Sequence, residues 1–258
     1  DGSKLVSGSN DWTARVWDIA SGKELHTLVH KGMVWSVAWS PDGSKLASGG
    51  HDGTVRVWDI ASGKEPYALK GHGWSVHSVA WSPDGSKIAS GSRDKTVKVW
   101  DIASGKELYA LKGHKDIVHF VFWSPDGSKL ASCGGDGTAR LWDTVSGKEL
   151  HKLEGHESWI YSIAWSPDGS KLASGGHIET VRVWDVATGK EIYTLEGHER
   201  DVSSLAWSPD GSKIAIVGHD ETLRVRDAAS GKEIYTLEGH EWDVSSLVWS
   251  PDGSKIAS

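Results

Sequence analysis

The stretch from Asp84 to Pro125 alternates and switches between apolar and polar positions in a way that predicts four short strands. Residues 96–100 alternate Val with Lys, the period-two pattern of a strand with one buried face. Residues 86–90 form a short apolar-rich segment after a Pro-Asp-Gly turn. Residues 107–111 make the third strand, after the turn cluster Ala103-Ser104-Gly105-Lys106. Residues 117–123 are rich in β-branched and aromatic side chains, are the most hydrophobic of the four, and are expected to lie deepest. Ser124-Pro125-Asp126-Gly127 then closes a hairpin, with Pro and Gly supplying the required φ angles.

This pattern recurs. Asp-Gly-Ser-Lys begins at Asp1, Asp42, Asp84, Asp126, Asp168, Asp210 and Asp252. The repeats run 1–41, 42–83, 84–125, 126–167, 168–209 and 210–251, with a partial copy at 252–258. A period of this size signals a repeat architecture, and four antiparallel strands per repeat make the blades of a propeller. The expected fold is all-β: a single propeller domain over residues 1–258, with six four-stranded blades.

Gly-His, an Asp in the following loop and Trp-Asp at a strand end resemble the WD-repeat (WD40) family of β-propellers, and the resemblance covers the whole chain. It implies a hydrogen-bonded structural network of His, Ser, Asp and Trp in each blade. Three sets are complete: His30, Ser48, Asp52 and Trp58; His72, Ser90, Asp94 and Trp100; His114, Ser132, Asp136 and Trp142. His156, Ser174 and Trp184 have Ile178 in place of Asp. His198 and Asp220 have Ile216 in place of Ser and Arg226 in place of Trp, so this blade is expected to be the weakest. The last set needs both chain ends, His240 with Ser7, Asp11 and Trp17. That implies closure by interleaved strands, with an inner strand around residues 244–249. Residues 4–7 and 255–258 then compete for one strand position, and the surplus copy is expected to be displaced or to pair with another molecule.

Composition narrows the class. A net charge of −7 disfavours nucleic acid and anionic membranes as partners. One cysteine, Cys133, excludes an internal disulfide framework. It takes a position held elsewhere by Gly49, Gly91 and Gly175, which reads as a small buried thiol. No apolar run approaches membrane-spanning length and no signal peptide is visible, so a cytoplasmic location is expected. A start without Met reads as an excised segment.

Catalytic chemistry finds little support. Ser, His and Asp recur together in phase, whereas a hydrolytic triad is one constellation. No nucleophile elbow, phosphate loop, calcium-loop spacing or zinc-ligand spacing is present, so no enzyme activity, cofactor or metal is expected.

The repeats disagree in three phases, and the disagreement points to binding. One phase reads Asn10, His51, Arg93, Gly135, His177 and His219. A second reads Met33, Ser75, Ile117, Trp159, Asp201 and Asp243. The third reads Trp35, His77, His119, Tyr161, Ser203 and Ser245. Trp12, Lys95, Glu179 and Glu221 flank one variable loop, and Trp74, Asp116, Arg200 and Trp242 the other. In an up-and-down blade both loops emerge at one end, so these residues are expected on one face as a binding rim. The rim is polarised, aromatic in the first repeats and acidic in the last. It suits a protein or peptide with an apolar anchor and a basic flank. The expected function is a non-enzymatic recognition module or scaffold, by analogy the sensor end of a larger signalling protein. The other readings are a structural or engineered scaffold without a dedicated ligand, and, more weakly, an enzyme or lectin using the central rim.

Overall fold

The computed structural model describes residues 2–258, except the side chain of Ile178, where the expected loss of a network Asp therefore lies outside the described residues. The chain divides into two compact units, Asp1–Trp123 and Ser124–Ser258. Regular structure among the described residues is β-strand throughout.

The first unit opens with β1 (Lys4–Gly8), β2 (Thr13–Asp18) and β3 (Glu24–Val29), a three-stranded sheet in that order. β4 (Val34–Trp39), β5 (Lys45–Gly50), β6 (Thr54–Asp59) and β7 (Lys64–Lys70) form a four-stranded antiparallel sheet in chain order. β8 (Val76–Trp81), β9 (Lys87–Ser92), β10 (Thr96–Asp101) and β11 (Lys106–Lys112) form the next, and β12 (Val118–Trp123) ends the unit. In the second unit β13 (Lys129–Gly134), β14 (Ala139–Asp143) and β15 (Glu149–Leu153) pair in order. β16 (Ile160–Trp165), β17 (Lys171–Gly176), β18 (Ile178–Asp185) and β19 (Glu191–Leu195) form a sheet. So do β20 (Val202–Trp207), β21 (Lys213–Gly218), β22 (Leu223–Asp227) and β23 (Glu233–Leu237). β24 (Val248–Trp249) and β25 (Ile256–Ala257) are a two-stranded remnant.

The turn residues act as their chemistry dictates. Ser82 Oγ donates to Asp84 Oδ1 at 2.6 Å and the Ser86 N–H donates to the same oxygen at 3.0 Å. These donors hold the Asp84 carboxyl at about 2, below its usual value. Gly85 follows at φ +70°, the left-handed conformation a side chain resists.

Packing runs from sheet to sheet. Leu69 and Tyr67 of β7 pack with Ile88, Trp100 and Ile102 of the next sheet. Leu28 of β3 meets Leu46, Trp58 and Ile60 in the same way, and Leu195 with Tyr193 meets Ile214 and Ala228. Gly49 is closely packed, since a Cβ there would come within 2.6 Å of Val76 Cγ1, whereas the same register in β21 holds a buried Val217. Cys133 in this phase is fully buried, its thiol 3.8 Å from the Ile160 carbonyl.

Three expectations are corrected. The strand nearest the repeat's end is not the deepest: β12 leaves Phe122 40% exposed, whereas Ile88 to Ser92 of β9 are all buried. β9 has a strand on each side, which shields both its edges. The described residues hold seven sheets, not six, because the terminal strands do not merge into one. The interleaved closure is not seen. Both copies of the duplicated segment are used, β1 against β2 and β25 against β24. β25 reaches its partner through the tight Ser250–Lys255 turn, a local closure with a much smaller entropy cost than a pairing across the chain.

Candidate interaction surface

The repeated His, Ser and Trp residues are structural, but not in one uniform way. Trp100 Nε1–H donates to Ser90 Oγ at 2.9 Å. Ser90 bonds to His72 Nε2 at 2.8 Å, and His72 Nδ1–H donates to Asp94 at 2.8 Å. Burial alone would raise the Asp94 carboxyl, but the His72 and Thr96 donors outweigh it and hold it well below its usual value. Around His30 the order differs. Arg56 donates to His30 Nδ1 at 3.1 Å, so His30 Nε2–H donates to Ser48 at 2.8 Å, and Asp52 joins by a 2.7 Å ion pair with Arg56. Sequence reasoning missed Arg56. Its signal was the alternation that puts it two positions before Trp58. Burial and the neighbouring Arg56 push His30 down to about 4. His156 and Trp184 both meet Ser174, at 2.8 Å each. Trp142 Nε1–H donates to Ser132 at 2.9 Å, and His114 and Ser132 are buried.

The set expected from the two chain ends is not assembled. Trp17 Nε1–H donates to Ser7 at 3.0 Å, Asp11 accepts from Thr13 and Arg15, and His240 bonds instead to Ser258 at 2.9 Å. Ser258 holds the place in the last copy that Ser7 holds in the first, so the local partner wins. In the degenerate set His198 keeps Asp220 at 2.9 Å. Its Nε2 is buried with no hydrogen-bond partner among the described residues, since Ile216 has no hydroxyl to offer.

The variable residues gather in each unit separately. In the first, Trp35 lies between His51 at 6.0 Å and His77 at 4.7 Å, and His77 meets His119 at 5.9 Å. Burial, then the neighbouring His119 and Arg93, lowers His77 to about 4. Arg93 sits 5.7 Å from the Trp74 ring. The two variable loops touch: the His51 N–H donates to the Met33 carbonyl, and the Arg93 N–H to that of Ser75, each at 2.9 Å. Trp12, Trp35, Trp74 and Met33 are exposed. Ile117 is half-buried, and Ser75, expected on the rim, is buried and contributes backbone.

In the second unit Trp159 meets Tyr161 at 6.2 Å, and Tyr161 meets His177 at 6.4 Å. His177 Nδ1 lies 2.6 Å from Asp201, and His219 Nδ1 lies 4.0 Å from Asp243. These four residues, with Glu179, Glu199 and Arg200, line an open pocket of about 540 Å³. Glu199 was not singled out from the sequence. Its adjacency to the variable Arg200 was the available signal. Four carboxylates against one guanidinium make the pocket attract cations. Among the described residues no group of three or more His, Cys, Asp or Glu is arranged to hold a metal ion.

Trp12, Lys95 and Glu221 adopt φ of 73°, 70° and 65°. Gly53 and Gly137 hold this loop position elsewhere at 69° and 68°. A side chain there costs of order 1 kcal/mol or more, and such strain collects at functional sites.

The profile of the family described as "WD domain, G-beta repeat" matches residues 1–18, 22–59, 63–101, 105–143, 147–185, 189–227 and 231–258. The chain is 52% identical over 40 residues to "Dynein assembly factor with WD repeat domains 1" of Mus musculus, covering 15% of this chain and 10% of that protein. It is 48% identical over 40 residues to the Danio rerio protein of the same name, covering 15% and 10%. It is 54% identical over 41 residues to "Ribosome assembly protein 4" of Chaetomium thermophilum, covering 16% and 8%. Each likeness spans about one repeat and a tenth or less of the relative.

Proposed function

The chain belongs to the WD domain, G-beta repeat family of protein-interaction scaffolds, and from that premise we propose that it is a non-enzymatic cytoplasmic module that recognises a protein or peptide through its variable loops. The observation that carries this reading is Trp35, held between His51 and His77 yet 38% exposed. A large aromatic fixed on both sides and open outward is the form of a binding anchor, since little side-chain entropy remains to be lost. Each unit carries its own surface: the first has apolar and aromatic contact around Trp35, and the second a pocket whose carboxylates suit a Lys or Arg side chain. Apolar anchors and basic side chains are therefore the partner features that these surfaces favour. A sensor role within a larger signalling protein fits such a module. Likeness to assembly factors agrees with a scaffold role, but a single shared repeat transfers no partner.

Labelled peptides pairing an aromatic or Leu anchor with Lys or Arg test this by fluorescence polarisation. Binding is expected, and Trp35→Ala should weaken it by about 2 kcal/mol, roughly 30-fold. Asp201→Asn should weaken basic peptides and leave neutral ones unchanged. Equal binding of all peptides, or no response to either variant, would refute the reading.

A further inference from the structure

The loop between β9 and β10 differs in charge from its counterparts. Arg93 and Lys95 flank Asp94, whereas His51 and Gly53 flank Asp52 in the preceding sheet, and His219 and Glu221 flank Asp220 between β21 and β22. The acceptors of Asp94 are engaged elsewhere. Its Oδ2 accepts from His72 Nδ1–H at 2.8 Å and from the Gly73 N–H at 3.0 Å. Its Oδ1 accepts from the Thr96 N–H at 3.0 Å and the Thr96 hydroxyl at 2.6 Å. Arg56, Arg140 and Arg182 each meet a carboxylate. Arg93 is exposed and takes part in no ion pair among the described residues.

Both cations are nonetheless held in place. The Arg93 guanidinium lies over the Trp74 ring, 5.7 Å from its centre, and Trp74 is 63% exposed. A cation positioned on an indole has less freedom left to lose when an anion arrives. Lys95 Nζ donates to the Lys115 carbonyl at 3.0 Å, which uses one of its three hydrogens. It does so from φ +70°, where Gly53 and Gly137 stand in the same loop position at 69° and 68°. A lysine kept at a strained position and tied to the next loop is a placed charge. Burial, then the neighbouring His119 and Arg93, leaves His77 uncharged at neutral pH, and burial does the same for His119. The charge of these loops is therefore that of Arg93, Lys95 and Lys115 against Asp94 and Asp116, an excess of one cation.

We infer that this loop recognises an acidic peptide segment: Arg93 and Lys95 take an Asp or Glu carboxylate, and Trp74 receives an apolar neighbour of that residue. The fork of a guanidinium matches a carboxylate with two parallel N–H donors. An excess of one positive charge balances a carboxylate and leaves a doubly charged phosphate uncompensated. The site goes beyond the peptide reading above, because its chemistry is opposite to that of the carboxylate pocket around Asp201. The two units then favour segments of opposite charge.

A dye-labelled peptide of Glu and Gly around one Leu, titrated with the intact chain by fluorescence polarisation, tests this beside its Gln-for-Glu and phosphoserine-for-Glu counterparts. The Glu peptide should bind about tenfold more tightly than the Gln peptide, and salt should weaken it. Arg93→Gln should abolish that preference. Arg93→Lys, which keeps the charge and loses the fork, should remove most of it. Lys95→Gly should reduce it about threefold, and because Gly already occupies this loop position in other sheets, that loss is separable from unfolding. Asp201→Asn should leave the Glu peptide unchanged. Equal binding of the Glu and Gln peptides overturns the proposal, as does a preference that survives Arg93→Gln. Binding of the phosphoserine peptide about tenfold tighter than the Glu peptide assigns the loop to phosphate and overturns it too. If basic peptides still respond to Asp201→Asn while the Glu peptide fails, this inference falls and the recognition-module reading stands.

Discussion

The sheet built around His72 and the sheet built around His198 start from the same repeat and reach stability differently. In the first, one serine hydroxyl satisfies both Trp100 and His72. In the second, Ile216 fills that place at 1% exposure, and Arg226 ties β22 to the Gly231 carbonyl and Glu233. Losing two hydrogen bonds costs about 2 kcal/mol, and the buried, partnerless His198 Nε2 adds to that cost, while burying an isoleucine side chain contributes about 1.5–3 kcal/mol. The isoleucine offsets part of the loss. The difference teaches that the family network is one solution to a buried space and that apolar packing is another. The expectation that the Arg226 blade is the weakest therefore weighs only half of the substitution.

Four measurements sharpen or break this comparison. Ser90→Ala should have the largest effect, about 2–3 kcal/mol of lost stability by denaturant titration, because Trp100 and His72 both lose a buried partner. A loss under about 0.5 kcal/mol would show that the intact network contributes little. Next is Ile216→Ser with Arg226→Trp. Each single change should destabilise by about 1–2 kcal/mol, and the double variant should cost less than their sum, since only together do they rebuild the network. Strict additivity would refute the exchange of polar for apolar packing.

Acidification separates the sets by charge state. Burial, then Arg56 or Arg182, lowers His30 and His156 from 6.5 to about 4 in the folded chain. Between those values the unfolded chain binds more protons, so stability is full above about pH 6.5 and falls as pH drops toward 4. Melting temperature should follow that slope, and His30→Gln should flatten it. The smallest effect belongs to the rim. Lys95→Gly and Glu221→Gly should each stabilise by up to about 1 kcal/mol by relieving the positive φ. A loss of stability from both would show that the loop holds no strain.

Much of the strand layout was readable because side-chain alternation and Pro-Asp-Gly turns act locally. Residues 96–100 became β10, and residues 107–111 lie within β11. The aromatic and acidic groups of the rim were legible as disagreements between repeats, yet their neighbours were not. That Trp35 lies between His51 and His77 depends on how two loops approach. Ser75 shows the limit: its phase varies, but the backbone turns its side chain inward. Arg56 escaped notice because its pairing with His30 joins residues 26 apart.

By itself the sequence determined the family, the strands and the turns, all set within one repeat by pattern and local sterics. Only the tertiary structure decided the partner of each repeated group. His240 took Ser258 over Ser7, and the duplicated ends made separate sheets. Identical copies offer identical local contacts, so the choice between them rests on loop-closure entropy and on which apolar surfaces meet.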